Sequence, residues 1–145
     1  MKIRVCCHSS TGNTMKLAKS MAMALDCQAE PVEGLSMKED VDLLFLGGAV
    51  YATEDHGLHP ALRDFIARLE PGRIGQVVLF RTGFSDEALA SMRSLLEARG
   101  IKAAKESFGC KGRFLIFNLG HPGTKDLEAG AAFARKMAAS AGSPR

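Results

Sequence analysis

Residues 8–14 read His8-Ser9-Ser10-Thr11-Gly12-Asn13-Thr14, and they stand between a short apolar run and a stretch of helical period. In that setting hydroxyls and backbone N–H groups converge on one spot. A helix N-terminus leaves its first N–H groups without intrahelical partners and carries roughly half a positive charge, so a phosphate can be held there without Lys or Arg. Gly12 lets the backbone pass close to such a ligand. Ser, Thr and Asn are also the residues that cap a helix, so composition leaves an anion site and plain helix initiation both open.

The spacing excludes several other phosphate chemistries. A Walker loop ends in Gly-Lys-Ser/Thr, and none is present. A low-molecular-weight phosphatase needs a Cys followed six residues on by Arg, whereas Cys6 and Cys7 are followed there by Gly12 and Asn13. A response regulator needs acidic residues after its first strand and an Asp ending its third; this chain has Cys6, Cys7, His8 and Gly47. The cysteines, at 6, 7, 27 and 110, form no CxxC pair and no zinc spacing. They are expected to be reduced thiols, with Cys6 and Cys7 on opposite faces of a strand. The histidines at 8, 56, 59 and 121 fall on separate loops and make no metal set, and His8 is expected to be a partly exposed loop side chain.

The elements that must carry these loops are regular. Apolar runs rich in β-branched and aromatic residues, at Ile3 to Cys7, Cys27 to Val32, Val41 to Gly47, Gln76 to Arg81 and Ala103 to Phe117, the last interrupted near Gly109 to Gly112, predict five strands. Between them lie four helical stripes. Leu17, Ala18, Met21, Ala22 and Leu25 make the first; Leu58, Leu62, Phe65, Ile66 and Leu69 the second. The third is Leu89, Met92, Leu95 and Leu96, entered at Ser85-Asp86-Glu87 and ended by Gly100; the fourth runs from Thr124 through Leu127, Ala131, Ala134 and Met137 to Ala138. Between Val32 and Val41 there is room for only a turn or two, around Ser36 to Asp40. Alternating β and α elements, with a nearly all-apolar third strand, predict a doubly wound five-stranded parallel sheet in a three-layer α/β/α sandwich. Ligands in such sheets bind beyond the carboxyl ends of the strands, where the winding reverses.

The chain has 145 residues, 46% hydrophobic and 24% charged, which suits one domain over residues 1–145. A chain of this size buries about 70% of the surface it exposes when unfolded, so it needs no disulfide or metal to fold. No apolar run approaches the ~20 residues of a membrane span, and the N-terminus turns polar too early for a signal peptide, so a cytoplasmic location is expected. The net charge is +3, with 11 bases and 13 acids in residues 1–100 against 8 and 3 thereafter. Those bases are scattered, and a chain with one Tyr and no Trp offers few stacking aromatics, so nucleic acid is not an expected partner.

With the motifs in order, the chain resembles the flavodoxin family. The resemblance rests on Ser9, Gly12, Thr14 and Ala18, then Gly47-Gly48-Ala49-Val50-Tyr51, then Phe80-Arg81-Thr82-Gly83-Phe84. It continues through Phe108-Gly109-Cys110-Lys111-Gly112-Arg113-Phe114 and Gly120-His121-Pro122 with Asp126 and Ala132-Phe133-Ala134. It implies a flavodoxin-like fold with FMN as cofactor, its phosphate held by Ser9, Ser10, Thr11, Gly12, Asn13 and Thr14. The flavin ring would be framed by Gly48, Ala49, Val50, Tyr51 and Ala52 and by Thr82, Gly83 and Phe84. Tyr51 would stack on the ring or serve as a half-buried anchor; Phe84 would touch the ring or fill the core. Thr82 and Gly83 would offer backbone donors to the ring's polar edge. Cys6-Cys7 stand where the family has large apolar and aromatic residues, Gly48 and Ala49 where it has Ser and Pro, and the net charge is positive where the family is acidic. The implied function is single-electron transfer between FMN and an unidentified redox protein, with no metal and no membrane. A flavin-dependent NAD(P)H or quinone reductase of the same fold, or a domain that has lost its flavin, are the alternatives.

Overall fold

A computed structural model describes residues 1–49, 58–83, 86–110 and 123–142. The strands are β1 (Ile3–Cys7), β2 (Ala29–Pro31), β3 (Val41–Gly48), β4 (Ile74–Thr82) and β5 (Ala103–Cys110). The helices are α1 (Asn13–Ala24), α2 (Pro60–Arg68), α3 (Glu87–Ala98) and α4 (Thr124–Gly142). All strands pair in parallel, in the order β2-β1-β3-β4-β5.

Each face of the sheet carries its own core. Cys6, Leu44, Leu46, Val77 and Leu79 meet Leu62, Phe65, Ile66, Met92 and Leu96 of α2 and α3. Val5, Cys7, Leu43, Phe45, Val78 and Phe80 meet Leu17, Met21, Ala134 and Met137 of α1 and α4. Cys6 and Cys7 therefore do face opposite sides, because successive side chains on a strand alternate. With both faces covered, β3 has every residue buried except Asp42.

Boundaries shift where backbone hydrogen bonds are claimed by neighbours. The second strand begins two residues later than its apolar run, since Cys27 N–H still bonds to Ala22 O in the turn leaving α1 and Asp26 sits at φ 57°. It ends at Pro31, and the turn follows at once at Glu33 and Gly34 (φ 73°), not around Ser36 to Asp40. The fourth strand is longer than predicted because Ile74 pairs with Val41. In β5, a bulge separates the pairs Val77↔Ala103 and Leu79↔Ser107; the predicted continuation from 111 to 117 lies outside the described residues.

Candidate functional site

The carboxyl ends of β1, β3 and β4 lie side by side at Cys7, Gly48 and Thr82, and the winding reverses between β1 and β3. The loop 8–12 leaves this point. His8 N–H donates to Gly47 O at 3.2 Å, extending the β1–β3 ladder by one residue. The chain then turns outward, with Ser10, Thr11 and Gly12 exposed and the Gly12 N–H donating to Ser9 Oγ at 3.0 Å. Gly12 caps α1 at φ 90°, and a Cβ built there would meet nothing within 4 Å. Its glycine identity therefore serves the backbone turn, and the space in front of it is open. The first turn of α1 holds no acidic residue to offset the helix dipole.

Two threonines lock this loop to the sheet. Thr14 Oγ1 lies 2.7 Å from Thr82 Oγ1, both side chains fully buried. The hydroxyls thus do not all converge on the loop: that of Thr14 is turned inward, and the residue has its backbone N–H to offer a ligand. Thr82, whose hydroxyl is engaged by Thr14, ends β4 opposite Cys110 of β5 and is followed by Gly83 at φ 102°, where an added Cβ would meet nothing within 4 Å.

Gly48 and Ala49 are buried at the end of β3. A Cβ on Gly47 would stand 2.1 Å from the Phe80 ring, and one on Gly48 would stand 2.4 Å from Leu62 Cδ1. This glycine pair is demanded by packing on the two faces of the sheet. Val50, Tyr51, Ala52 and Phe84, the other expected ring contacts, lie outside the described residues.

No protein-family model and no curated protein matches the sequence. Solved structures do match the fold over nearly its full length. Oxidised flavodoxin 2 from Bacillus cereus superposes with a TM-score of 0.72 at 22% identity, covering 97% of this chain and 99% of that one. An archaeal flavodoxin gives 0.76 at 16% with the same coverage. The chain has a flavodoxin-like fold. The same fold forms part of rubredoxin oxygen:oxidoreductase from Desulfovibrio gigas, where the match (TM-score 0.71, 15% identity) covers 97% of this chain but 36% of the larger protein.

Within this flavodoxin-like fold, sequence reasoning missed two residues beside the site. His8 is not a partly exposed loop side chain but is 5% exposed. Its Nδ1 lies 3.2 Å from Glu33 Oε2, its Nε2 lies 3.0 Å from Ser10 Oγ, and its ring stacks on that of His59 with centroids 3.8 Å apart. Arg81 reaches from β4 to Asp86 (Nε to Oδ1, 2.7 Å) and donates from Nη1 to Gly83 O at 2.6 Å. It covers Gly109, where a Cβ would stand 2.6 Å from the guanidinium. Asp86 accordingly starts α3 without a side-chain cap, its carboxylate being drawn to Arg81. The His8 cluster depends on segments 25 positions or more apart that the sheet brings together, which periodicity does not reveal, whereas Arg81 reaches Asp86 only five residues on, a local link that the apolar pattern does not mark.

The thiol beside the loop is inert. Burial, with the charge of Glu33 adding to it, pushes Cys7 up to about 12, and burial, then Cys7 and Glu30, raises Cys6 well above the ordinary range. Among the described residues no three His, Cys, Asp or Glu side chains gather to hold a metal, and no helix is long and apolar enough to cross a membrane.

Proposed function

We propose that the chain binds FMN and carries single electrons between redox proteins. The observation that carries this reading is the open N-terminus of α1. Its Gly12 cap at φ 90° stands at the reversal point of a flavodoxin-like sheet and is pinned from behind by the Thr14–Thr82 hydrogen bond. Such a terminus suits a phosphate dianion, which the helix N–H groups and dipole favour without a basic side chain. FMN, when bound, supplies the one- and two-electron chemistry.

The chain's own residues bind and orient it. Ser9, whose Oγ accepts from Gly12 N–H, keeps its own hydrogen to donate; Ser10, Thr11, Asn13 and the backbone of Thr14 complete the phosphate cradle. Thr82 and Gly83 set the polar edge, with Arg81 holding the Gly83 carbonyl turned back toward β4. Tyr51 and Phe84 are the proposed ring contacts, and Gly48 and Ala49 direct the chain from β3 toward Val50, Tyr51 and Ala52. A carrier is preferred over a reductase because the chain matches flavodoxins end to end, which supports a fold without an inserted substrate-binding loop.

The test is an absorption titration with FMN. The expected result is a perturbed flavin spectrum with quenched fluorescence, together with no NAD(P)H oxidation by the loaded protein, with or without a quinone, until a reductase is added. An unperturbed spectrum at high protein concentration overturns flavin binding. Turnover of NAD(P)H with quinone by the loaded protein alone establishes the reductase alternative.

A further inference from the structure

The cluster around His8 lies directly behind the exposed loop, and its hydrogen bonds define the state of each partner. Glu33 accepts at His8 Nδ1 (3.2 Å); a carboxylate can only accept, so Nδ1 carries a hydrogen. In the neutral ring Nε2 is then a lone pair, and the Ser10 hydroxyl 3.0 Å away must donate to it. The Ser10 hydrogen is turned inward, away from the loop. When His8 takes a second proton, Nε2–H becomes the donor, Ser10 Oγ accepts, and the Ser10 hydrogen is released from His8. A cation then stands two residues from the loop's exposed tip.

We propose that His8 is a positioning residue for the loop 9–12, and that binding of a phosphate group there is coupled to uptake of one proton at His8 Nε2, transmitted by reversal of the His8–Ser10 hydrogen bond. This rests on the reading of the loop as a phosphate site. The proton comes from solvent. A neutral His8 orients Ser10 as a poor host for an anion; a protonated one supplies a donor and a positive charge.

The surroundings assign the proton to His8 and not to its stacked neighbour. His59 Nδ1 accepts the Ala61 N–H at 3.0 Å as the N-cap of α2. A proton there would break the cap and place two like charges face to face at 3.8 Å. Glu33, on the link after β2, favours the cation. Cys7 on β1 stays a neutral thiol, and β3 contributes Gly47, which has no charge. From α2, Arg68 donates to the carbonyls of Val32 and Leu35 on either side of Glu33.

The experiment is calorimetric titration of the full chain with FMN at pH 7.0 and 8.5. This range lies above the second ionisation of a phosphate monoester, near pH 6, so the ligand is a dianion throughout. The expected result is affinity about three- to tenfold weaker at pH 8.5, with net proton uptake at pH 7.0 read from binding enthalpies in buffers of different ionisation heat. His8→Gln, which keeps hydrogen-bonding groups but takes no proton, should bind with affinity independent of pH and with no proton uptake. Because His8 is buried, Ser10→Ala in the exposed loop is the second variant, and it should lose most of the pH dependence. FMN binding whose pH dependence and proton uptake are the same in wild type and both variants overturns the proton link and leaves the flavin reading standing. No FMN binding by the wild type at either pH overturns both.

Discussion

Gly12 is the residue on which the loop turns. At φ 90° with open space in front of it, Gly12→Ala meets no clash but is forced into a conformation that costs about 1–2 kcal/mol. Thermal or urea unfolding should show that loss, and FMN affinity should fall by more than tenfold if a ligand uses the same open space. The paired cysteines respond to pH instead. Burial pushes Cys7 up to about 12, and Cys6 is raised in the same direction. A thiol held neutral by the fold contributes stability that is fully present below its unfolded value and lost as pH rises toward the folded one. The protein should therefore be indifferent to these thiols at pH 7 and lose up to about 1.4 kcal/mol per pH unit per thiol above pH 9. Urea unfolding from pH 8 to 11 checks this, with Cys7→Ala flattening the curve. In native protein at pH 8, Cys6 and Cys7 should resist a thiol reagent that reaches every cysteine after unfolding.

At the scale of elements, the site is a joint between α1 and the ends of β3 and β4. Thr14 and Thr82 make that joint through one buried hydroxyl pair. Replacing either by Val strands the other hydroxyl and should cost about 1–3 kcal/mol, whereas the double Val variant should recover much of the loss. A double-mutant cycle on unfolding free energies measures it; additive losses would mean that the two hydroxyls act separately. The glycines of β3 are the second element-scale constraint. Gly47→Ala drives a methyl into the Phe80 ring and should cost about 1–3 kcal/mol or more through overpacking, with Phe80→Leu recovering part. Apolar periodicity located β3 and β4 well, but it carried no trace of this close approach. Residues 47 and 80 are partners only through the sheet register.

At the scale of the whole molecule, the described residues carry an ion-pair network at the amino ends of β1, β3 and β4: Lys2 and Arg4 pair with Glu39, Arg73 pairs with Asp40, and Arg4 also reaches Glu30 of β2. Binding of FMN by the folded chain alone should stabilise it by about 2.7 kcal/mol at a free concentration 100 times Kd, raising the melting temperature by about 5–10 °C. Riboflavin, which lacks the phosphate, should raise it less, and an equal shift would remove the phosphate loop from the account. Much of this architecture was legible along the chain. Five strands, four helices, the parallel sheet and the position of loop 8–14 follow from period, capping and Gly placement, because these are properties of neighbouring residues and survive without knowledge of the rest. What a side chain touches across the sheet does not. His8 looked like an ordinary loop residue until Glu33, 25 positions on, and the His59 ring closed over it; the Thr14 hydroxyl looked available to a ligand until Thr82, 68 positions on, took it, leaving the Thr14 backbone as its proposed contribution. Local pattern determined the elements and their order, and tertiary packing alone decided which polar groups remain available to a ligand, since hydrogen bonds are made between whichever groups the strand order brings within 3 Å.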